Sequence, residues 1–220
     1  MTIDQDNNQN VMIDRATTAL LIVDVQNDFC EGGALAVPDA DSIVPLINDL
    51  MGRFDWIVAS LDYHPPGHGS FASSHEGRAV GEVIDLHGVD QVLWPDHCVA
   101  DTYGSELHPD LLNEPITTFM IKGTDPNVDS YSTFRDNAKG SDTGLAKWLG
   151  ENGITDLVVV GLALDYCVKF SALDAIDAGF ETTVALDATR AVNLQPDDGD
   201  KAVAELRAAG VRIANAKDYR

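Results

Sequence analysis

Residues Asp156 to Phe180 read "DLVVVGLALDYCVKFSALDAIDAGF". The β-branched run Val158 to Val160 breaks into a small-residue turn, and the turn carries Cys167 into a helical pattern that ends beside Gly179. The run is continuous rather than alternating. That suits a strand covered on both faces, and therefore a parallel sheet with helices above and below it. Runs of the same kind recur at 18–26, 55–63, 117–123, 182–188 and 211–216. Between them, 40–54, 142–153, 165–180 and 196–210 have the helical period. Two of these segments close on glycine, and the last opens on an Asp-rich turn that suits a helix N-terminus. The alternation predicts a three-layer α/β/α domain with a mostly parallel, six-stranded, doubly wound sheet. Residues 1–14 form a polar N-terminal tail in this reading, and 15–220 a single domain. The segment 65–110 has no clear strand or long helix, yet it carries every histidine except His64.

With 220 residues, 45% of them hydrophobic, the chain can bury a core of ordinary size within one domain. Fourteen basic against 36 acidic residues give a formal charge of -22. Such a surface repels phosphate backbones and anionic lipid, which argues against nucleic-acid and membrane partners. The cysteines, Cys30, Cys98 and Cys167, are few and lack CxxC spacing. Neither a disulfide framework nor a structural zinc knot fits them; reduced thiols in the cytoplasm do. The opening "MTIDQDNNQNVMID" has no basic or apolar leader region, and no apolar run reaches the roughly 18 residues that span a bilayer.

Doubly wound sheets gather their sites at the carboxyl ends of the strands. Asp24, Asp62 with His64, Lys122 and Cys167 all fall there. In "LDYHPPGH" the Asp-x-His spacing puts two side chains on one side of an extended segment, a spacing that suits metal ligands. Oxygen and imidazole donors suit zinc, iron(II) or manganese. A further ligand has to come from His68, His75, His87, His97 or His108, among which His97 in "LWPDHCV" stands out. Cys167 lies where a helix N-terminus favours a thiolate, and Asp24 and Lys122 could take its proton and hold the charge. Each residue also has a plainer reading: a packed thiol, a turn cap, a surface charge and a hydrogen-bonded strand end.

The motifs "LLIVDVQNDFCEGGALAV", "SLDYHPPGHGSFAS", "LWPDHCV", "FMIKGTDPNVDSYSTF" and "VVVGLALDYCVKFSALDA" together resemble the isochorismatase-like cysteine hydrolases, and within them the nicotinamidases, also called pyrazinamidases. The resemblance covers about residues 17–215 and implies the isochorismatase-like hydrolase fold. It implies Cys167 as nucleophile, Asp24 as proton acceptor and later donor, and Lys122 as third member of a triad. It implies Asp62, His64 and His97 as ligands of one divalent metal ion, with zinc the first expectation and iron or manganese the alternatives. His68 falls near a further ligand position of some members. A cis peptide between Leu162 and Ala163 and an oxyanion hole from the N–H groups of Ala163 and Cys167 are implied as well. Phe29, Trp94, Tyr131 and Leu162 match positions around the substrate.

The activity implied is hydrolysis of nicotinamide to nicotinate and ammonia, a step of NAD salvage, with pyrazinamide as a further substrate and no organic cofactor. Rival readings are an amide hydrolase of the same superfamily acting on a carbamoyl or maleamate-type substrate, and vinyl ether hydrolysis, which needs no cysteine. A third is a non-catalytic metal-binding or redox-sensing protein. The metal's identity, the relative activity on the two amides and assembly into a homo-oligomer stay open.

Overall fold

The computed structural model describes residues 12–219. The strands are β1 (Thr18–Val23), β2 (Trp56–Asp62), β3 (Val83–Leu86), β4 (Val89–Val92), β5 (Thr118–Lys122), β6 (Asp156–Leu162), β7 (Glu181–Arg190) and β8 (Arg212–Ala214). The helices are α1 (Val44–Met51), α2 (Leu145–Glu151), α3 (Lys169–Asp177) and α4 (Asp198–Ala208). Six strands form one sheet in the order β5-β2-β1-β6-β7-β8, and every pairing in it is parallel. The expected tail lies largely in residues 1–11, outside the described residues.

All six residues of β1 are buried, which explains its unbroken apolar run. Leu20 and Ile22 pack with Val44, Ile47, Leu50 and Met51 of α1. Ala19, Leu21 and Val23 face the other way, against Leu145 and Leu149 of α2, Ala172 and Ala175 of α3 and Leu206 of α4. Each fully buried Leu or Ile of this kind contributes about 2 kcal/mol by removal from water. Two apolar layers on one sheet complete the three-layer architecture.

The strand order reverses between β1 and β6, whose chains run out in opposite senses around the sheet. A crevice at that point, beyond the carboxyl ends of the strands, is where open α/β sheets bind ligands. Gly161 brings the two strands together there. It stands opposite Val23 with φ +106°, and a Cβ would overlap the Val23 carbonyl oxygen. The β6–β7 register shifts at the same place.

Two expectations need correction. Strand β1 stops at Val23, and Asp24 follows in the left-handed region at φ +47°. The segment 65–110 is not without strands, because β3 and β4 pair as an antiparallel hairpin. Its two-residue turn, His87-Gly88, has both φ values positive, at 54° and 91°. That is the turn geometry two-residue hairpins favour. Four-residue strands with exposed Val83 and Asp85 carry too little apolar pattern to stand out.

Candidate active site

Four strand ends deliver the site. Lys122, the last residue of β5, is 2% exposed, and Asp24, after β1, is fully buried. Its Nζ lies 2.9 Å from Asp24 Oδ2, 3.2 Å from Asp62 Oδ1 and 3.6 Å from Cys167 Sγ, and it donates to the Ser130 carbonyl at 2.8 Å. Ser60 Oγ donates to Asp24 Oδ1 at 2.7 Å and fixes that carboxylate from β2. Cys167 sits in a π-helical turn, Leu164–Val168, between β6 and α3, and is 6% exposed. Ligand atoms of Asp24, Asp62 and Cys167 lie within 4.8 Å of one another.

Burial governs the proton affinities. It raises the Asp24 carboxyl above its ordinary value, against the opposing pull of Lys122. Burial also pushes the Cys167 thiol well up, with Lys122 opposing and Asp24 and Asp62 adding to the rise. For Lys122, burial favours loss of the proton, but Asp24 and Asp62 outweigh it and hold the ammonium well above the usual lysine range. The resting cluster therefore pairs a protonated sulfur with a carboxylate of raised proton affinity and a cation that stays charged.

A second group adjoins the first. Asp62 Oδ2 is 3.2 Å from His64 Nε2 and 3.6 Å from His97 Nε2, and all three residues are buried. His64 Nδ1–H donates to the Gly123 carbonyl at 2.9 Å and His97 Nδ1–H to the Pro95 carbonyl at 2.8 Å. A carbonyl can only accept, so in its neutral form each ring turns an Nε2 lone pair toward Asp62. Beyond these charge contacts, buried His64 Nε2 and Asp62 Oδ1 have no well-formed hydrogen bond. Orphaned donor atoms of this type, oriented by outer hydrogen bonds, fit a divalent transition metal. Without a cation, burial lowers the His64 pKa, but Asp62 outweighs it and the ring is pushed up to about 9. Burial likewise works against the Asp62 charge, yet His64 and Lys122 hold its carboxyl well below the usual range.

The surroundings of these three side chains are specific. Gln26, fully buried, takes the Asp62 N–H on Oε1 and donates to the Asp62 carbonyl, each at 2.8 Å. Asp28 accepts the Cys98 N–H at 2.7 Å and so holds the His97 turn. Gly123 has φ +69°, and a Cβ there would stand 2.6 Å from both Asp62 Oδ1 and His64 Cε1. His68 lies behind His64, ring centroids 4.3 Å apart. Its Nε2 meets the Asp125 carbonyl at 2.7 Å and its Nδ1 accepts the Ser70 N–H at 3.1 Å, so both nitrogens are engaged.

Between the two groups opens a narrow slot. Phe29, Trp94, Tyr131, Ala163 and Cys167 line it, as does Tyr166, which the sequence pattern did not single out. Tyr166 stands edge-on to Trp94 at 4.8 Å, and Trp94 Nε1–H donates to the Tyr131 hydroxyl at 3.1 Å. Such walls suit a flat ring. Val192 reaches the slot because Asp165 accepts the Val192 and Asn193 N–H groups at 2.9 and 2.8 Å. The Leu162–Ala163 peptide is cis. Leu162 corrects an expectation: its side chain is fully buried in the core beside α1 and is not part of the slot wall. Asp129, also unforeseen, faces the slot beside Asp62 and His97.

Comparison with known proteins gives a consistent picture. Residues 18–218 match the isochorismatase domain model. A nicotinamidase of Escherichia coli is 47% identical over 207 residues, covering 91% of this chain and 96% of the relative. The solved nicotinamidase/pyrazinamidase of Acinetobacter baumanii superposes with a TM-score of 0.91 at 41% identity, covering 94% of this chain and 99% of that one. A pyrazinamidase of Pyrococcus horikoshii, solved in complex with zinc, has a TM-score of 0.73 at 36% identity, over 90% and 98% of the two chains.

Proposed function

The chain belongs to the isochorismatase domain family, and on that premise we propose that it is a nicotinamidase, an amidohydrolase that converts nicotinamide to nicotinate and ammonia through a thioester on Cys167. Pyrazinamide, a ring of the same shape with the same carboxamide, is a second substrate. One observation carries the reading: a single buried ammonium, Lys122 Nζ, lies within 3.6 Å of the sulfur and closer still to Asp24 and Asp62. Nucleophile, base and candidate metal ligand are thereby locked into one constellation. Residues 15–220 act as one hydrolase domain in this reading.

Aromatic walls orient the substrate ring so that its carboxamide lies over Cys167, which turns encounter into near-unimolecular attack. Asp24 removes the thiol proton as sulfur bonds to the amide carbon. Its raised proton affinity makes it a stronger base than an exposed aspartate. Lys122 keeps its charge throughout and offsets the negative charge moving through sulfur. The N–H groups of Ala163 and Cys167 receive the developing oxyanion, each donor worth roughly 3 kcal/mol. Asp24 then hands its proton to the departing ammonia, which breaks the C–N bond and leaves the acyl group on sulfur. With Asp24 again as base, a water cleaves the thioester and the thiol is restored.

Asp62, His64 and His97 would hold one divalent ion, for which zinc is the first choice and iron or manganese fit the same donors. When bound, such an ion supplies a Lewis acid for orienting a heteroaromatic nitrogen and activating water. His68, with both ring nitrogens hydrogen-bonded, backs His64 rather than joining the ligand set. No organic cofactor enters, and the reaction suits a cytoplasmic enzyme.

Ammonia release on mixing zinc-loaded protein with nicotinamide tests the proposal. Release by the wild type and none by Cys167→Ala, with fold and metal content retained, is the expected result. An active Cys167→Ala protein, or an inert wild type, overturns it.

A further inference from the structure

The catalytic cavity holds a third carboxylate that the reaction above does not use. Asp129, in the loop after β5, is 3% exposed and faces the slot beside Asp62, His97 and Cys167. Its Oδ1 accepts the Ser130 N–H at 2.8 Å and its Oδ2 accepts Gln91 Nε2–H at 2.9 Å. Gln91, 1% exposed on β4, also donates to the Val92 carbonyl at 2.7 Å, so its amide is held in place. Two neutral donors fix the Asp129 carboxylate without cancelling its charge. Among the described residues the one ammonium nearby, Lys122, goes instead to Asp24, Asp62 and the Ser130 carbonyl. Oδ1 keeps a second lone pair, and it lies 3.9 Å from His64 Nε2, the orphaned imidazole nitrogen.

Counting charge makes the consequence plain. With His64 and His97 neutral, as metal ligands are, three buried carboxylates, Asp24, Asp62 and Asp129, against the single ammonium of Lys122 leave two negative charges in a cavity shielded from water. A buried charge without a counterion is costly. One divalent cation held by Asp62 and neutral His64 and His97 brings the sum to zero. We propose that Asp129 is a positioning residue for that cation: the outer carboxylate, fixed by Gln91 and Ser130, that completes the charge of the loaded site. Its oxygens group with His64 and His68 rather than with the Asp62, His64 and His97 set, so it acts on the cation through its field. The inference rests on the metal reading above.

The test is a titration of metal-free protein with Co2+ under chelator competition, read by visible absorption and compared with the melting temperature of the metal-free protein. Asp129→Asn keeps the shape and removes the charge. It is expected to weaken Co2+ binding about 10- to 100-fold, the range typical for outer-shell partners, while the metal-free protein melts no lower than the wild type. Asp129→Glu restores most of the affinity. Wild-type affinity in Asp129→Asn overturns the assignment of Asp129 and leaves the metal reading standing. Absence of Co2+ uptake by the wild type overturns the metal reading and this inference together. Should Asp129→Asn fold poorly, Gln91→Ala frees the same carboxylate; a shifted Co2+ spectrum is expected, and an unshifted one overturns the assignment.

Discussion

Cys167 by itself looks like a packed thiol, and burial alone would keep it protonated and inert. Its neighbours change that, and they were legible in the sequence because each stands at a strand end or just past one: Asp24 after β1, Asp62 on β2, Lys122 on β5. Residues that hold them were harder to see. Gln26, Ser60 and Gly123 act through contacts between segments 36 or more residues apart, which no local pattern records. Gly123 shows the effect most sharply, since the position combines left-handed backbone with no room for a methyl group. Gly123→Ala is therefore expected to displace His64 and Asp62 and abolish stoichiometric zinc binding while the protein stays folded. Metal analysis of the purified variant checks this; wild-type zinc content would show that the site tolerates the shift.

Elements buried on both faces declared themselves through unbroken apolar runs, as β1 and β6 do. The β3–β4 hairpin did not, because its strands are short and half exposed and the only cue was His87-Gly88. Hidden with it was Gln91, and so the support of Asp129. The turn that carries Cys167 depends on a similar detail, the approach of β6 to β1 at Gly161. An alanine there would adopt an unfavourable φ and collide with the Val23 backbone. Strain of this kind costs about 3 kcal/mol, or roughly 10 °C of melting temperature in a chain this long. Gly161→Ala is expected to lose about that much and to lose activity with it, as thermal melting and an ammonia assay would record. A variant melting with the wild type would mean that the strands can separate there without cost.

Across the whole molecule the dominant feature is charge. With 36 acidic and 14 basic residues, most carboxylates have no cation to pair with. The pairs that exist on the surface, such as Lys147–Glu151 and Lys201–Asp197, are exposed and worth less than about 1 kcal/mol each. Self-repulsion outweighs them, so added salt should stabilise the fold. Raising NaCl from 0.1 to 1 M shortens the screening length from about 10 to about 3 Å, and the melting temperature is expected to rise by several degrees. A fall would mean that the surface pairs matter more than the repulsion. Among the described residues no helix is long and apolar enough to cross a membrane.

The proposed reaction comes down to one chemical event at the end of β6, and mass spectrometry can observe it. Acid quenching of the zinc-loaded protein during turnover of nicotinamide, followed by peptide mapping, should find a nicotinoyl group on the peptide carrying Cys167 and no such adduct in Cys167→Ala. Turnover by the wild type with the acyl group on another residue, or undiminished turnover by Cys167→Ala, would contradict the account.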